Sequence, residues 1–348
     1  LLTACDDLFE PALENNRDLE AMYKEPSYAQ GILANAYIIL PYETSPTSDL
    51  ATDDAVTNEI SSNYLRMATG SWTANNNPVS QWQNRFNAIQ YINLFLENVD
   101  KVEWAKDERI STMFLDRLKG EAYGLRALHM YYLLRAHGGK IADGTLMGVP
   151  IILKSEGPDA DFNHARATYS DCVKQIMEDA DKAIELLPLD YKKFADSEIP
   201  EKYKNIGVTN ASDYRRVCGE EYRGLMSGRI ALAVRAQTAL LAASPAFQSG
   251  SGMTWEQAAD YAAEIIEKAN GGGGCGLDAD GLEWYTLADK DYGTGGSPAE
   301  VIWRSSTDDN NTLETANFPP SLYGNGRVNP TQNLVDAFPM ANGYPISE

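Results

Sequence analysis

The chain has 348 residues, of which 43% are hydrophobic and 23% charged, enough apolar residues at this length for a sizeable core. Its 50 Asp and Glu against 29 Lys and Arg leave a formal net charge of -21. A field of that sign repels polyanions and excludes nucleic acid as a partner. No run of about 18 apolar residues occurs, so no helical membrane span is expected.

The chain starts at Leu1 without Met, so a preceding segment is expected. Leu1-Leu2-Thr3-Ala4-Cys5 resembles the site at which bacterial lipoprotein signal peptides are cut. Cys5 would then be the first mature residue and carry acyl chains, several of which anchor firmly where one does not. Residues 6–25 are acidic and mixed and read as a tether. The other cysteines are Cys172, Cys218 and Cys275. None forms a CxxC or a Cys/His group with zinc spacing, so no metal or other cofactor is expected. Cys172 sits in a helical pattern as a small buried thiol. Cys218 and Cys275 flank loops and are candidates for a pair.

Residues 26–348 read as one domain. A short helix is predicted from Tyr28 to Leu40, ended by Pro41. The stretch from Asp49 to Asn77 reads as polar loop with little regular structure. Asn77-Pro78 is a predicted helix start, with Asn as cap and Pro in the first turn. Trp82, Phe86, Ile89, Ile92 and Leu96 then follow at helical spacing. A longer helix is predicted from Glu108 to Ala136, its apolar positions recurring every three or four residues until Gly138-Gly139. Val149–Leu153 reads as extended. Thr168-Tyr169-Ser170-Asp171 opens a helix that Pro188 closes. Residues 189–226 read as a loop-rich insertion. Further helices are predicted at 229–243 and, from the capping box Thr254-Trp255-Glu256-Gln257, to about 269. The Gly-, Asn- and Pro-rich remainder has short strands predicted near Trp303 and one short helix near Leu334. The helices at 166–187, 229–243 and 254–269 carry small residues at contact positions. They read as divergent tetratricopeptide-like pairs or as an irregular all-α domain.

Several stretches resemble one family at once. Leu118-Lys119-Gly120-Glu121-Ala122-Tyr123-Gly124-Leu125-Arg126-Ala127-Leu128-His129-Met130-Tyr131-Tyr132-Leu133-Leu134-Arg135, with Gly138-Gly139 behind it, resembles the signature helix of SusD/RagB proteins. Gly124 stands where that helix usually has an aromatic. Arg166-Ala167-Thr168 with Leu186-Leu187-Pro188, Gly228-Arg229 with Ala242-Ala243-Ser244-Pro245, and Pro330–Phe338 with Asn342-Gly343 are similar to further landmarks, in the same order. The resemblance implies a mainly α scaffold of tetratricopeptide-like helix pairs with long loop-rich insertions. It implies a surface-exposed outer-membrane lipoprotein that lids a SusC-like TonB-dependent transporter. Such a lid captures an oligosaccharide or polysaccharide, or in some members a peptide, without catalysis. Acidic residues such as Asp6 and Asp7 accompany surface export in that family. Its members are typically longer, so the chain reads as truncated at its carboxy-terminal end.

Catalytic arrangements are lacking. His129 falls on an apolar helix face, as a hydrogen-bonded core histidine does. No G-x-S-x-G or H-E-x-x-H occurs, and the glycine runs at 271–274 and 293–296 lack the Lys of a phosphate loop. Asp53-Asp54 and Asp308-Asp309 are the carboxylate pairs a glycoside hydrolase would need, but in so acidic a chain they read as solvated surface. Sugar binding calls for flat aromatic rings on loops, whose negative π faces meet ring C–H groups, and for amides that bond hydroxyls. Trp72 with Asn75 and Asn77 is the first such group, and its place before the Trp82 helix resembles the family's ligand loop. Asn77 reads more readily as a cap. Trp284, Tyr285 and Tyr292 are the second group. Trp82, Trp104, Trp255 and Trp303 are expected to pack. The competing function is a tetratricopeptide-like scaffold that docks only protein, which would not need Trp72 or Trp284 exposed.

Overall fold

A computed structural model describes residues 23–41, 48–73, 75–272, 301–304 and 310–345, with side chains to residue 267 in the long segment. In chain order its elements are α1 (Pro26–Ile38), β1 (Ala55–Thr57), α2 (Asn63–Ala68), α3 (Trp82–Asn98), α4 (Glu108–His137), β2 (Gly139–Lys140), β3 (Leu146–Met147) and α5 (Tyr169–Leu186). There follow α6 (Glu201–Lys204), α7 (Ala211–Cys218), α8 (Gly228–Ala243), α9 (Gln248–Ser251), α10 (Trp255–Gly272), α11 (Thr312–Asn317), β4 (Val328–Pro330) and α12 (Gln332–Ala337). The fold is mainly helical, as the sequence implies. The described residues divide into two compact units, one comprising 23–40, 84–272 and 301–304, the other 41–83 and 305–345 within their described parts.

In the first unit helices stack in sequence order, α4 on α5, α5 on α8 and α8 on α10, which is the arrangement of a short solenoid of helix pairs. Caps set their starts. Asp107 Oδ1 accepts from Arg109 N at 2.9 Å ahead of α4, and Thr168 Oγ1 accepts from Asp171 N at 3.0 Å ahead of α5. At α10 the capping box is complete: Thr254 Oγ1 accepts from Gln257 N, and Gln257 Oε1 accepts from Thr254 N. The long α4 is buried through most of its middle. Two of its glycines allow close approach. A Cβ on Gly120 would lie 2.6 Å from Leu187 Cγ, and one on Gly124 would lie 2.6 Å from Met226 Cγ. The departure from the family's usual aromatic at position 124 therefore has a local cause: Met226 fills that space.

Four polar residues in the middle of α4, Arg117, Glu121, Arg126 and His129, are buried. Arg126 pairs with Asp179 of α5 through both oxygens, and its Nη1 donates to Asn93 Oδ1 at 2.9 Å. Glu121, 2% exposed, accepts a hydrogen bond from the Tyr37 hydroxyl at 2.7 Å and lies 3.6 Å from Arg117. Burial raises the Glu121 pKa, against the pull of Arg117. His129 is fully buried, as expected. Its Nε2–H donates to Ala36 O and its Nδ1 accepts from Arg85 Nη1, each at 3.1 Å, which defines a neutral ring. Burial, then the Arg85 charge, pushes its pKa down to about 3.

Some expectations need correction. Residues 189–226 are loop-rich, as expected, but they are not without structure: α6 and α7 with two 3₁₀ turns pack Phe194, Ile199, Tyr203, Val208, Tyr214 and Val217 into a second core against Ile110 and Met113 of α4. Elements this short leave no readable period. Cys218 is a free thiol in that core, and burial pushes its pKa up to about 12. Its suggested partner, Cys275, lies outside the described residues. Cys172 is likewise free and buried.

In the second unit, 49–77 contains β1 and α2 where little regular structure was expected. β1 pairs antiparallel with β4, Ala55 opposite Pro330 and Thr57 opposite Val328. Thr331 ties the ladder further, its N–H to Asp54 O at 2.8 Å and its hydroxyl to Asp53 O. Pairing across such a sequence separation has no local signal. α12 matches the helix expected near Leu334. Near Trp303, residues 301–304 are not in a strand, and the Trp303 indole N–H donates to Gly224 O at 2.7 Å.

Candidate functional site

The loop that carries Trp72 is shaped by the end of α2. Gly70, at φ 67°, sends its N–H to Met67 O at 3.0 Å, and Ser71 N donates to Arg66 O at 2.9 Å. This is a Schellman ending, which needs a left-handed residue and hence glycine. It turns the chain outward directly before Trp72, which is 49% exposed. Thr73 and Asn76 then bridge in antiparallel fashion, closing a tight turn with Asn75 exposed at its tip. The bridge sets Trp72 and Asn77 at the turn's open end. Among the described residues, neither the Trp72 indole N–H nor the side-chain amides of Asn75 and Asn76 have a partner. The loop thus offers an aromatic surface beside two unengaged amides, each able to donate and accept.

Asn77 differs from its neighbours. Its Oδ1 accepts from Val79 N at 3.0 Å and its carbonyl from Ser80 N, so the side chain serves an Asx turn. The helix expected to start at Asn77-Pro78 starts at Trp82, with Ser80 Oγ accepting from Trp82 N at 3.4 Å. Asn77 therefore does not cap this helix: its side chain is used in the turn at Pro78 that precedes it.

Of the tryptophans expected to pack, Trp104 does: it is 7% exposed and its N–H reaches Val99 O at 3.2 Å. Trp82 and Trp255 do not fit, being 43% and 48% exposed at the first residues of α3 and α10. A first helical turn overhangs the core that the rest of the helix meets. Trp82 is therefore a further surface aromatic of the second unit, which helical spacing had assigned to the core. Its polar neighbours Gln81, Gln83 and Asn84 were the signal to the contrary. Trp284, Tyr285, Tyr292 and Cys5 lie outside the described residues, as do Asp308 and Asp309. Asp53 and Asp54 are exposed. Among the described residues no group of three or more His, Cys, Asp or Glu is placed to hold a metal ion, and no helix is long and apolar enough to cross a membrane.

The sequence matches the SusD-like family described as "Starch-binding associating with outer membrane" over residues 13–202, more than half the chain. The chain belongs to this family. Among solved structures it is similar to a SusD-like protein from Bacteroides fragilis, with a TM-score of 0.65 and 18% identity over 97% of this chain and 57% of that one. A SusD superfamily protein from Bacteroides vulgatus gives 0.60 and 19% over 90% and 62%. A laminarin-binding SusD-like protein gives 0.51 and 18% over 78% and 50%. These likenesses support the helical fold. The chain spans between half and two thirds of the length of these relatives. No curated protein matches it.

Proposed function

We propose that the chain captures a glycan at the cell surface and hands it to a SusC-like TonB-dependent transporter of the outer membrane, making and breaking no bond. Trp72 is the stacking platform, with Asn75 bonding sugar hydroxyls and Asn77 holding the loop that carries them. Trp284, Tyr285 and Tyr292 are assigned to the same ligand, and acylated Cys5 to the membrane anchor. The observation that carries this reading is the Trp72 turn. The Trp72 indole is half-exposed, and among the described residues its N–H and the two amides beside it have no partner. Its chemistry is that of carbohydrate recognition, an aromatic face with a few placed polar groups. Family membership and the laminarin-binding relative support the ligand class.

The test is calorimetry of a soluble form starting after Cys5 against a panel of polysaccharides and peptides, with Trp72→Ala beside the wild type. Binding of a glycan without released product, weakened at least ten-fold in W72A, is the expected result. Binding of peptides alone would keep nutrient capture and discard the sugar. Binding of no ligand would move the reading to a protein-docking scaffold, and product release abolished by a single carboxylate change would make the chain a hydrolase.

A further inference from the structure

The first unit carries a cleft of its own, built by an unusual seam. Gln90, Asn93 and Glu97 lie along one side of α3, and all three reach the 152–156 segment. Gln90 Nε2 donates to Glu156 O and its Oε1 accepts from Glu156 N, both at 2.9 Å, so an amide side chain does what a neighbouring strand would do. Asn93 Nδ2 donates to Ile152 O and Lys154 O. Glu97 accepts from Ser155 N at 2.8 Å and from Ser155 Oγ at 2.5 Å. From this anchored segment residues 157–164 loop out and return, closed by His164 Nε2 donating to Glu156 Oε1 at 2.5 Å. Inside the loop Asn163 N donates to Asp161 Oδ1, and His164 N donates to Phe162 O. The loop is tied at both ends and internally, yet the side chain it presents is Phe162, 62% exposed.

Phe162 borders a cleft of about 260 Å³ shared with Phe86, Asn87, Ile152 and Glu156, among others. The volume falls just under the roughly 300–1,000 Å³ of sites for drug-sized ligands, so the cleft suits a ligand of one or two rings. Its chemistry is mixed. Two aromatic side chains line it together with the Asn87 amide, which has no hydrogen-bond partner among the described residues. The second oxygen of Glu156 is likewise without one. An apolar side chain of a docking protein would expel water from these groups and leave them unsatisfied. A sugar ring meets both demands, with C–H groups for the aromatic faces and adjacent hydroxyls for amide and carboxylate.

We propose that this cleft is a second glycan subsite, with Phe162 and Phe86 as its aromatic walls and Asn87 and Glu156 as its hydroxyl partners. The inference rests on the glycan reading above and adds a site that the Trp72 loop does not supply.

The experiment combines calorimetry with hydrogen exchange over residues 157–164, using whichever panel polysaccharide the wild type binds. Adding it is expected to slow exchange in this loop in the wild type and, at higher concentration, in W72A. Phe162→Ala should lose that protection and at least ten-fold in affinity, while Phe162→Tyr keeps both. Phe162 is exposed, so F162A should fold, and Asn87→Ala provides a second variant on the opposite wall with the same expected loss. Unchanged exchange, with F162A and N87A binding at wild-type affinity and stoichiometry while W72A is weakened, overturns the subsite and leaves the glycan reading standing. A wild type that binds no polysaccharide removes both.

Discussion

Arg126 of α4 grips Asp179 of α5 with two parallel hydrogen bonds, Nε to Oδ2 at 2.7 Å and Nη2 to Oδ1 at 2.8 Å, and both side chains are buried. Asn93 of α3 completes the set by accepting from Nη1 and donating to the 152–154 backbone. One guanidinium thereby joins three helices and an extended segment. Removing either partner of a buried pair strands the other charge, at a cost of about 3–5 kcal/mol. Asp179→Asn and Arg126→Ala should each lower stability by that order in urea unfolding. Arg126→Lys should not restore it, because an ammonium cannot present the planar fork.

His129 makes the fold sensitive to acid. Its folded pKa of about 3 lies below the ordinary 6.5, so between these values the unfolded chain binds a proton that the native state refuses. Its contribution is fully present above about pH 6.5 and is lost as pH falls toward 3, by about 1.4 kcal/mol per pH unit. The raised pKa of Glu121 works in the opposite sense, since it favours the folded state as protons are added. Comparing urea midpoints at pH 4 to 7 for the wild type and His129→Gln isolates the first effect: the variant should be less stable at pH 7 and have the shallower pH slope.

Gly124→Ala tests the close approach of α4 to Met226. Helix propensity favours alanine by about 1 kcal/mol, while overpacking typically costs about 1–3 kcal/mol. With Met226 Sδ 2.8 Å from the added Cβ, packing should win and the variant be less stable. Met226→Ala in the same chain should recover part of the loss, and a double-mutant cycle in thermal unfolding reads the coupling.

Tyr323, 97% exposed, is the one non-glycine among the described residues with a left-handed backbone, at φ 64°. That conformation costs a residue with a Cβ about 1–2 kcal/mol, and the exposed ring returns little by packing. Tyr323→Gly should therefore raise stability modestly, by about 0.5–1 kcal/mol once glycine's greater unfolded-state freedom is counted. A lower thermal midpoint would mean that the ring has a contact this geometry does not provide.

Trp72 and Trp104 should separate binding from folding. Trp72→Ala should move stability by no more than about 0.5 kcal/mol, as a surface change does. Trp104→Ala should cost about 3–5 kcal/mol, because it empties a buried site beside Phe95 and drops the bond to Val99 O. Circular dichroism melts of the two variants give the comparison.

Much of the helical scaffold is legible locally. Apolar residues at helical spacing, Thr168 and Thr254 at their caps, and Gly138 after α4 report nearest neighbours along the chain, so the sequence alone determined α4 and α8 to within a residue and α1, α5 and α10 to within about three. It also marked Trp72 as a loop aromatic and His129 as a core histidine. Contacts between distant residues were not legible. The β1–β4 pairing, the Arg126–Asp179 clasp and the second core around Tyr214 bring together segments whose separation carries no period. Exposure was the other blind quantity: Trp82 and Trp255 sit at helical spacing yet overhang the core, and Phe162 reads as one more apolar residue until its loop is seen closed by His164 and Glu156. A helix's existence depends on residues within a turn or two of one another, whereas which of its side chains meet solvent, a partner or a cleft depends on what the rest of the chain packs against it, and only the tertiary structure decides that.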